Sequence, residues 1–268
     1  MRPGNVSDPL PQAGPAARLS VLGARIAAVD YDGALAEIAA AVRSRANAYV
    51  CVANVHTVTE GLLCRGFRDR MNGSLLSVPD GMPIVWALRF LHRARLPDRV
   101  YGPELTRRLL ARAASERWRV YLYGSSPGTL EALKKKIAAD HPSFVLAGAE
   151  SPPFRTLSDE EDEAACRRIS EAKPDLVFVG LGAPKQEIWM AEHAAKIPGV
   201  LLGVGAAFDF LAGTKRQAPV WMQKRGLEWL FRFGSEPLRL WRRYLVRNPL
   251  FLAAIFLQKI GVLRWRQP

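Results

Sequence analysis

Asp80 sits between Pro79 and Gly81 at the end of the apolar run LLSV. A carboxylate on so stiff a loop can be held within hydrogen-bond reach of a hydroxyl, which is what a general base requires. Its structural alternative is an N-cap for a helix from Met82. Four other apolar runs end in comparable loops: AYVCVA in Asn54, Val55, His56 and Thr57; VYLY in GSSPG from Gly124; LVFVG in LGAPKQE from Leu181; and VLLGV in GAAFDFLAG from Gly205. GSSPG ahead of a helical pattern suits a phosphate cradle, because small residues let backbone N–H groups face an anion; a plain tight turn is the alternative. It is neither GxGxxG nor GxxxxGK[ST], so nicotinamide and ATP binding are not expected, and no cofactor is called for. In PKQE, the Gln186 amide can contact a sugar or a phosphate, and Glu187 suits the start of its own helix equally well. His56 has no Ser or Cys nucleophile placed beside it, so a pocket-lining neutral imidazole is expected in place of a triad. Asp30 and Asp32 imitate a metal-binding Asp-x-Asp, but they read as a turn and an N-cap, and no metal site is expected.

These loops need a frame, and the chain alternates short apolar runs with helical patterns. Strands are predicted at 48–53, 75–78, 120–123, 144–147, 176–180 and 200–204, each continuously apolar, as buried parallel strands are. Helices are predicted at 31–44, 58–71, 103–116, 128–140, 159–172 and 185–195, and a small hairpin within 19–29. The succession predicts an α/β fold, a Rossmann-like parallel sheet with helices on both faces. Ligands of such sheets bind outside the carboxyl ends of the strands, where all five loops fall. Gly124, Gly182 and Asp209 are therefore expected to line one nucleotide-sized site with Asn54, His56, Asp80 and Gln186.

Charge is concentrated at one end. Residues 213–268 hold twelve Lys or Arg against Glu228 and Glu236, a surplus of ten out of the chain's net +13, together with four of its seven tryptophans. Cationic heads and amphipathic rings in one segment suit an anionic headgroup layer. Apolar stretches there run about eight residues, too short to span a bilayer. Leu245, Leu250, Phe251, Ile255 and Phe256 beside Arg242, Arg243, Arg247 and Lys259 instead resemble an interfacial amphipathic helix. Confinement of the charge to the tail argues against nucleic acid as a partner, which would spread basic and aromatic residues over a platform. Three domains follow: a disordered leader at 1–18, a catalytic α/β body at 19–212 and a basic helical appendage at 213–268. Residues 1–17 lack the apolar core of a secretory signal. Cys51, Cys64 and Cys166 share no metal or redox spacing and read as packed thiols of a cytosolic protein.

Seven motifs stand in order: Asn54, VPDGMPIVWA (78–87), RVYGPEL (99–105), VYLYGSSPG (120–128), VGLGAPKQEIWM (179–190), GVGAAFDFLAG (203–213) and RQAPVWMQKRGLEWLFRFGSEPLRLWRRY (216–244). Together they resemble the WecG/TagA/CpsF glycosyltransferases, glycosyltransferase family 26, over 19–244. The resemblance implies an inverting, metal-independent transfer of a hexose from a UDP-sugar to a polyprenyl-diphosphate-linked saccharide at the inner face of the cytoplasmic membrane, for a surface polysaccharide. It implies Asp80 as the base, and Asn54, Gly102 and Gln186 in the substrate pocket. Arg99 and the tail residues Arg232, Arg239, Arg242 and Arg243 become candidates for diphosphate or membrane binding, since a planar guanidinium grips phosphate oxygens in pairs. Where relatives carry a Thr before the asparagine, this chain reads Val52-Ala53-Asn54. The missing hydroxyl leaves glucosyl and N-acetylmannosaminyl transfer both open. Self-association is left open as well.

Overall fold

The structure, a computed structural model, describes residues 16–265, apart from the side chains of Lys224, Arg239 and Arg243. Most of the expected leader lies outside these residues, and Arg18 already belongs to a strand. A hairpin of β1 (Arg18–Val21) and β2 (Ala24–Ala27) leads into α1 (Tyr31–Arg43). Then follow β3 (Ala48–Ala53), α2 (Val55–Leu63), α3 (Arg65–Asn72), β4 (Leu76–Pro79), α4 (Met82–His92), α5 (Gly102–Glu116), β5 (Arg119–Gly124) and α6 (Pro127–Asp140). The second half comprises β6 (Val145–Glu150), α7 (Asp159–Glu171), β7 (Leu176–Gly180), α8 (Lys185–His193), β8 (Val200–Gly203) and α9 (Ala207–Leu211). The tail holds α10 (Val220–Lys224), α11 (Glu228–Ser235), α12 (Pro237–Trp241), a π-helical turn (Arg242–Val246) and α13 (Arg247–Lys259).

The strands β3 to β8 form one parallel sheet in the order β4-β3-β8-β7-β5-β6. Alternate residues of each central strand enter different cores. Val50, Val120, Leu122, Phe178 and Leu202 pack under residues of α1, α5 and α6, whereas Cys51, Tyr121, Tyr123, Val177 and Leu201 pack under residues of α7 and α8. Both faces are covered, which is why the strands read as unbroken apolar runs.

The predicted helix at 58–71 is two helices. Asn54 caps the first from position 55, and Cys64 in extended backbone (φ −126°, ψ 107°) separates them. Cys51 and Cys166 are buried as expected, but Cys64 is exposed at that break.

A third core joins the hairpin to α3, α4 and the end of the tail. It contains Val21 and Ile26, Phe67 and Met71, Ile84, Val85 and Leu88, and from α13 Phe251, Ala254 and Ile255. The Gln258 amide fastens α13 further, donating to the Ser20 carbonyl at 3.0 Å and accepting from the Leu22 N–H at 2.8 Å. This corrects the expected amphipathic face. Phe251 and Ile255 face the protein, Leu250 is half-buried, and the exposed apolar residues include Leu245, Leu252 and Phe256. The hairpin and α4 present apolar surface of their own, and α13 covers it. Phe251 is 2% exposed, so Phe251→Ala is expected to cost about 3–5 kcal/mol of stability, read from urea unfolding. Among the described residues no helix is long and apolar enough to cross a membrane.

Candidate active site

Five strand tips meet at one edge of the sheet, cross-linked by their backbones. The Asp80 N–H donates to the Ala53 carbonyl (2.7 Å), Ser125 N–H to Gly180 (3.1 Å) and Val204 N–H to Val179 (2.9 Å). Outside them lies a cavity of about 680 Å³ lined by all five loops and by the tail. Asn54, His56, Asp80, Gly102, Gly182, Gln186 and Asp209 line it, joined by Arg232 and Arg242. The side chains of Arg239 and Arg243 lie outside the described residues.

Asp80 is not a helix cap. Gly81 occupies the N-cap position of α4, while the Asp80 carboxylate accepts from the Gly102 N–H at 3.3 Å. Loss of water around it pushes its pKa up from the ordinary 3.8 to about 6, with Arg99 pulling down and Glu228 pushing up. Asp80 also lines a smaller adjoining cavity of about 110 Å³ with Arg99, Glu228, Trp229 and Tyr244.

Arg99 takes a different place from the one expected. It does not line the large cavity; it is 8% exposed and already engaged. Its Nη1 donates to Glu228 Oε2 at 2.9 Å and its Nη2 to Gln223 Oε1 at 3.1 Å, and it lies over the Tyr101 ring at 4.1 Å. The Tyr101 hydroxyl donates to the other Glu228 oxygen at 3.1 Å. One acidic residue of the basic tail thus closes a network around the carboxylate at the tip of β4. Burial next to Glu228 and Asp80 pushes the Tyr101 phenol far up, so it is a neutral donor.

Other expected residues hold the loops as well as facing the cavity. Asn54 Oδ1 accepts from the His56 and Thr57 N–H groups, and Thr57 returns the bond, a capping box that fixes α2. Gln186, 4% exposed, accepts from the Gly182 N–H at 3.1 Å and donates to Glu187 at 2.9 Å. Gly182 adopts φ +80° with open space where a side chain would stand, while its N–H and carbonyl are both held by Gln186. Gly124 is excluded from the lining; a Cβ there would come within 2.6 Å of the Gly180 backbone, so it permits close strand tips and leaves Ser125 and Ser126 as the wall. Asp209 accepts from the Thr129 hydroxyl (3.2 Å) and lies 3.5 Å from Lys215 Nζ, which also reaches Glu236 (3.4 Å).

Arg247, which sequence reasoning did not place in the site, lines the cavity from the start of α13. It donates to His56 Nδ1 at 3.0 Å and is ion-paired with Glu60. Accepting that bond leaves His56 with its proton on Nε2. Asp30 caps α1 at the Gly33 N–H (2.9 Å), as expected, but Tyr31 between the two aspartates does reach the site, its hydroxyl accepting from the Tyr101 N–H at 3.0 Å. The group of metal-ligating side chains among the described residues, Asp162, Cys166 and His193, lies between α7 and α8, and none of the three lines the cavity.

An open parallel sheet that gathers a carboxyl of raised pKa and several guanidinium groups at its carboxyl edge is the arrangement of an α/β protein with a ligand site for an anionic substrate. The chain belongs to the WecG/TagA/CpsF family of glycosyl transferases, whose family model matches residues 19–264. The match runs past 244, where the motifs end, and takes in α13. The chain is 28% identical over 205 residues to the N-acetylglucosaminyldiphosphoundecaprenol N-acetyl-beta-D-mannosaminyltransferase of Bacillus subtilis (strain 168), covering 76% of this chain and 77% of that one. It is 30% identical over 216 residues to the protein of the same name from Staphylococcus aureus (strain MW2), covering 80% and 81%. The protein is a glycosyltransferase.

Proposed function

We propose that the protein transfers one hexose from a UDP-sugar to a saccharide carried on a polyprenyl diphosphate, with inversion, at the inner face of the cytoplasmic membrane. The observation that carries this reading is that Asp80, Arg232 and Arg242 line one cavity large enough for a nucleotide sugar. With a pKa of about 6, Asp80 is ionised at neutral pH and basic enough to take a proton from an acceptor hydroxyl. That oxygen attacks the anomeric carbon, the bond from that carbon to the diphosphate oxygen breaks, and UDP departs with the negative charge. A single displacement inverts the configuration.

Charge building on the departing diphosphate calls for positive groups already in place. Arg232 and Arg242 stand in the cavity wall, and Arg247 adds positive charge beside them while held by Glu60 and His56. The three carboxylates there besides Asp80 are otherwise engaged, Glu187 with Gln186, Asp209 with Thr129 and Lys215, and Glu228 with Arg99 and Tyr101. Such a set favours arginine over a divalent cation as the partner of the leaving group. The relatives' names make N-acetylmannosamine the first donor sugar to test and N-acetylglucosaminyl diphosphate lipid the first acceptor.

The test is incubation of the purified protein with UDP-N-acetylmannosamine, UDP-glucose and other UDP-hexoses and a short-chain prenyl-diphosphate saccharide, in the presence of a chelator. The expected result is one product heavier by one sugar residue, β-linked by its anomeric coupling constant, with UDP released. No product from any donor, with or without added divalent cation, would overturn the reading.

A further inference from the structure

Helices α4 and α13 lie side by side with their inner faces in one core, Val85 and Leu88 from the first against Phe251, Ala254 and Ile255 from the second. Their outer faces are apolar too. Trp86 and Phe90, one turn apart on α4, are 47% and 49% exposed, and Leu252 and Phe256, one turn apart on α13, are 66% and 59% exposed. Lys259 continues the Leu252–Phe256 stripe and joins the two helices: its Nζ donates to the Phe90 carbonyl at 2.6 Å and sits 5.0 Å from the centre of the Phe90 ring. The four large side chains therefore belong to neighbouring helix surfaces linked at one end. Soluble proteins seldom leave such a surface open unless something covers it.

Charge identifies the cover. No Asp or Glu occurs in 82–97 or in 247–264. At the end where Lys259 meets Phe90, exposed Arg93 and Arg95 follow α4, and exposed Arg264 follows α13. An apolar surface flanked by Arg93, Arg95, Lys259 and Arg264 matches an anionic lipid headgroup layer, with rings and alkyl stems below the headgroups and cations among them. A second copy of the chain would bring these cations against their own counterparts.

We propose that the outer faces of α4 and α13 form one bilayer-contact surface, so that the catalytic body, and not the tail alone, docks on the membrane. The inference rests on the lipid-linked acceptor reading above and adds an orientation to it. Both helices begin at the cavity: α4 starts two residues after Asp80, and α13 starts at Arg247. Docking by this surface sets the cavity beside the headgroups, where the diphosphate of a membrane-bound acceptor lies.

The experiment is flotation of the full chain with vesicles of phosphatidylglycerol and phosphatidylethanolamine, for the wild type, W86S/F90S and L252S/F256S. Turnover of a water-soluble short-chain acceptor and of a vesicle-embedded long-chain acceptor is measured in parallel. Each pair removes two exposed apolar side chains, so each is expected to weaken vesicle binding by about tenfold or more and to lower turnover of the embedded acceptor in step. Turnover of the soluble acceptor should stay within about twofold, which also shows that the variants fold. Wild-type flotation by W86S/F90S would overturn the role of α4. So would sedimentation showing a wild-type dimer that W86S/F90S dissolves without change in flotation, since the surface would then join two copies. Absence of wild-type turnover on the soluble acceptor counts against the proposed reaction alone; flotation still decides the surface.

Discussion

Asp80→Asn is expected to lower kcat by a factor of about 10² to 10⁴ while leaving the protein folded, because it removes a proton acceptor and little else. Asparagine has nearly the same shape and can still accept from the Gly102 N–H. The wild-type pH profile gives the sign of the companion effect. Asp80 is protonated below a pKa of about 6, so kcat/KM should fall about tenfold per pH unit below that value and level off above it. The Asn variant should show no such limb. Stability runs the other way. The folded-state value lies above the ordinary 3.8, so between roughly pH 4 and 6 the unfolded chain gives up its proton first, and this group weakens the fold as pH rises through that window. At pH 8, Asp80→Asn should therefore unfold at a urea concentration no lower than the wild type. Near-normal turnover in the variant would remove Asp80 from the role of base.

The place of that carboxylate at a strand tip was legible in the sequence because what sets it is local. Pro79, Gly81 and the apolar run before them are neighbours in the chain, and a buried parallel strand leaves a continuous signature when helices cover both its faces. The five strand-tip loops could be placed at one edge for the same reason. What escaped was side-chain pairing over long separations. Arg99 and Glu228 are 129 residues apart, and nothing near Arg99 shows that its guanidinium is already engaged. A clue did exist at the other partner, since Glu228 is one of two acids in a tail of twelve bases. The face of α13 was misread for a related reason. Periodicity reveals that a helix has apolar residues, but with Phe251 and Ile255 on one side and Leu252 and Phe256 on the other, only the fold decides which side meets protein.

The Arg99–Glu228 pair leads to the second large effect. Arg99→Met leaves the Glu228 carboxylate, 13% exposed, facing the Tyr101 hydroxyl with its counter-charge gone. Breaking a buried pair from one side costs about 3–5 kcal/mol, whereas replacing both members with uncharged side chains of similar size is far milder. The double variant R99M/E228Q should therefore be more stable than R99M in urea unfolding, a non-additivity that independent sites do not show. The same pair adjusts the base that burial has raised. Arg99 holds the Asp80 pKa down and Glu228 holds it up, so R99M should move the acid limb of the pH–rate profile above about 6, and E228Q should move it below. At the plateau E228Q should be the slower enzyme of wild type and variant, since a weaker base takes the acceptor's proton less readily. Because Glu228 belongs to α11 and Arg99 to the loop before α5, opposite shifts in the two single variants would mean that the tail adjusts the proton affinity of Asp80 by the charge of Glu228, against that of Arg99. Unmoved limbs in both would reduce the network to packing.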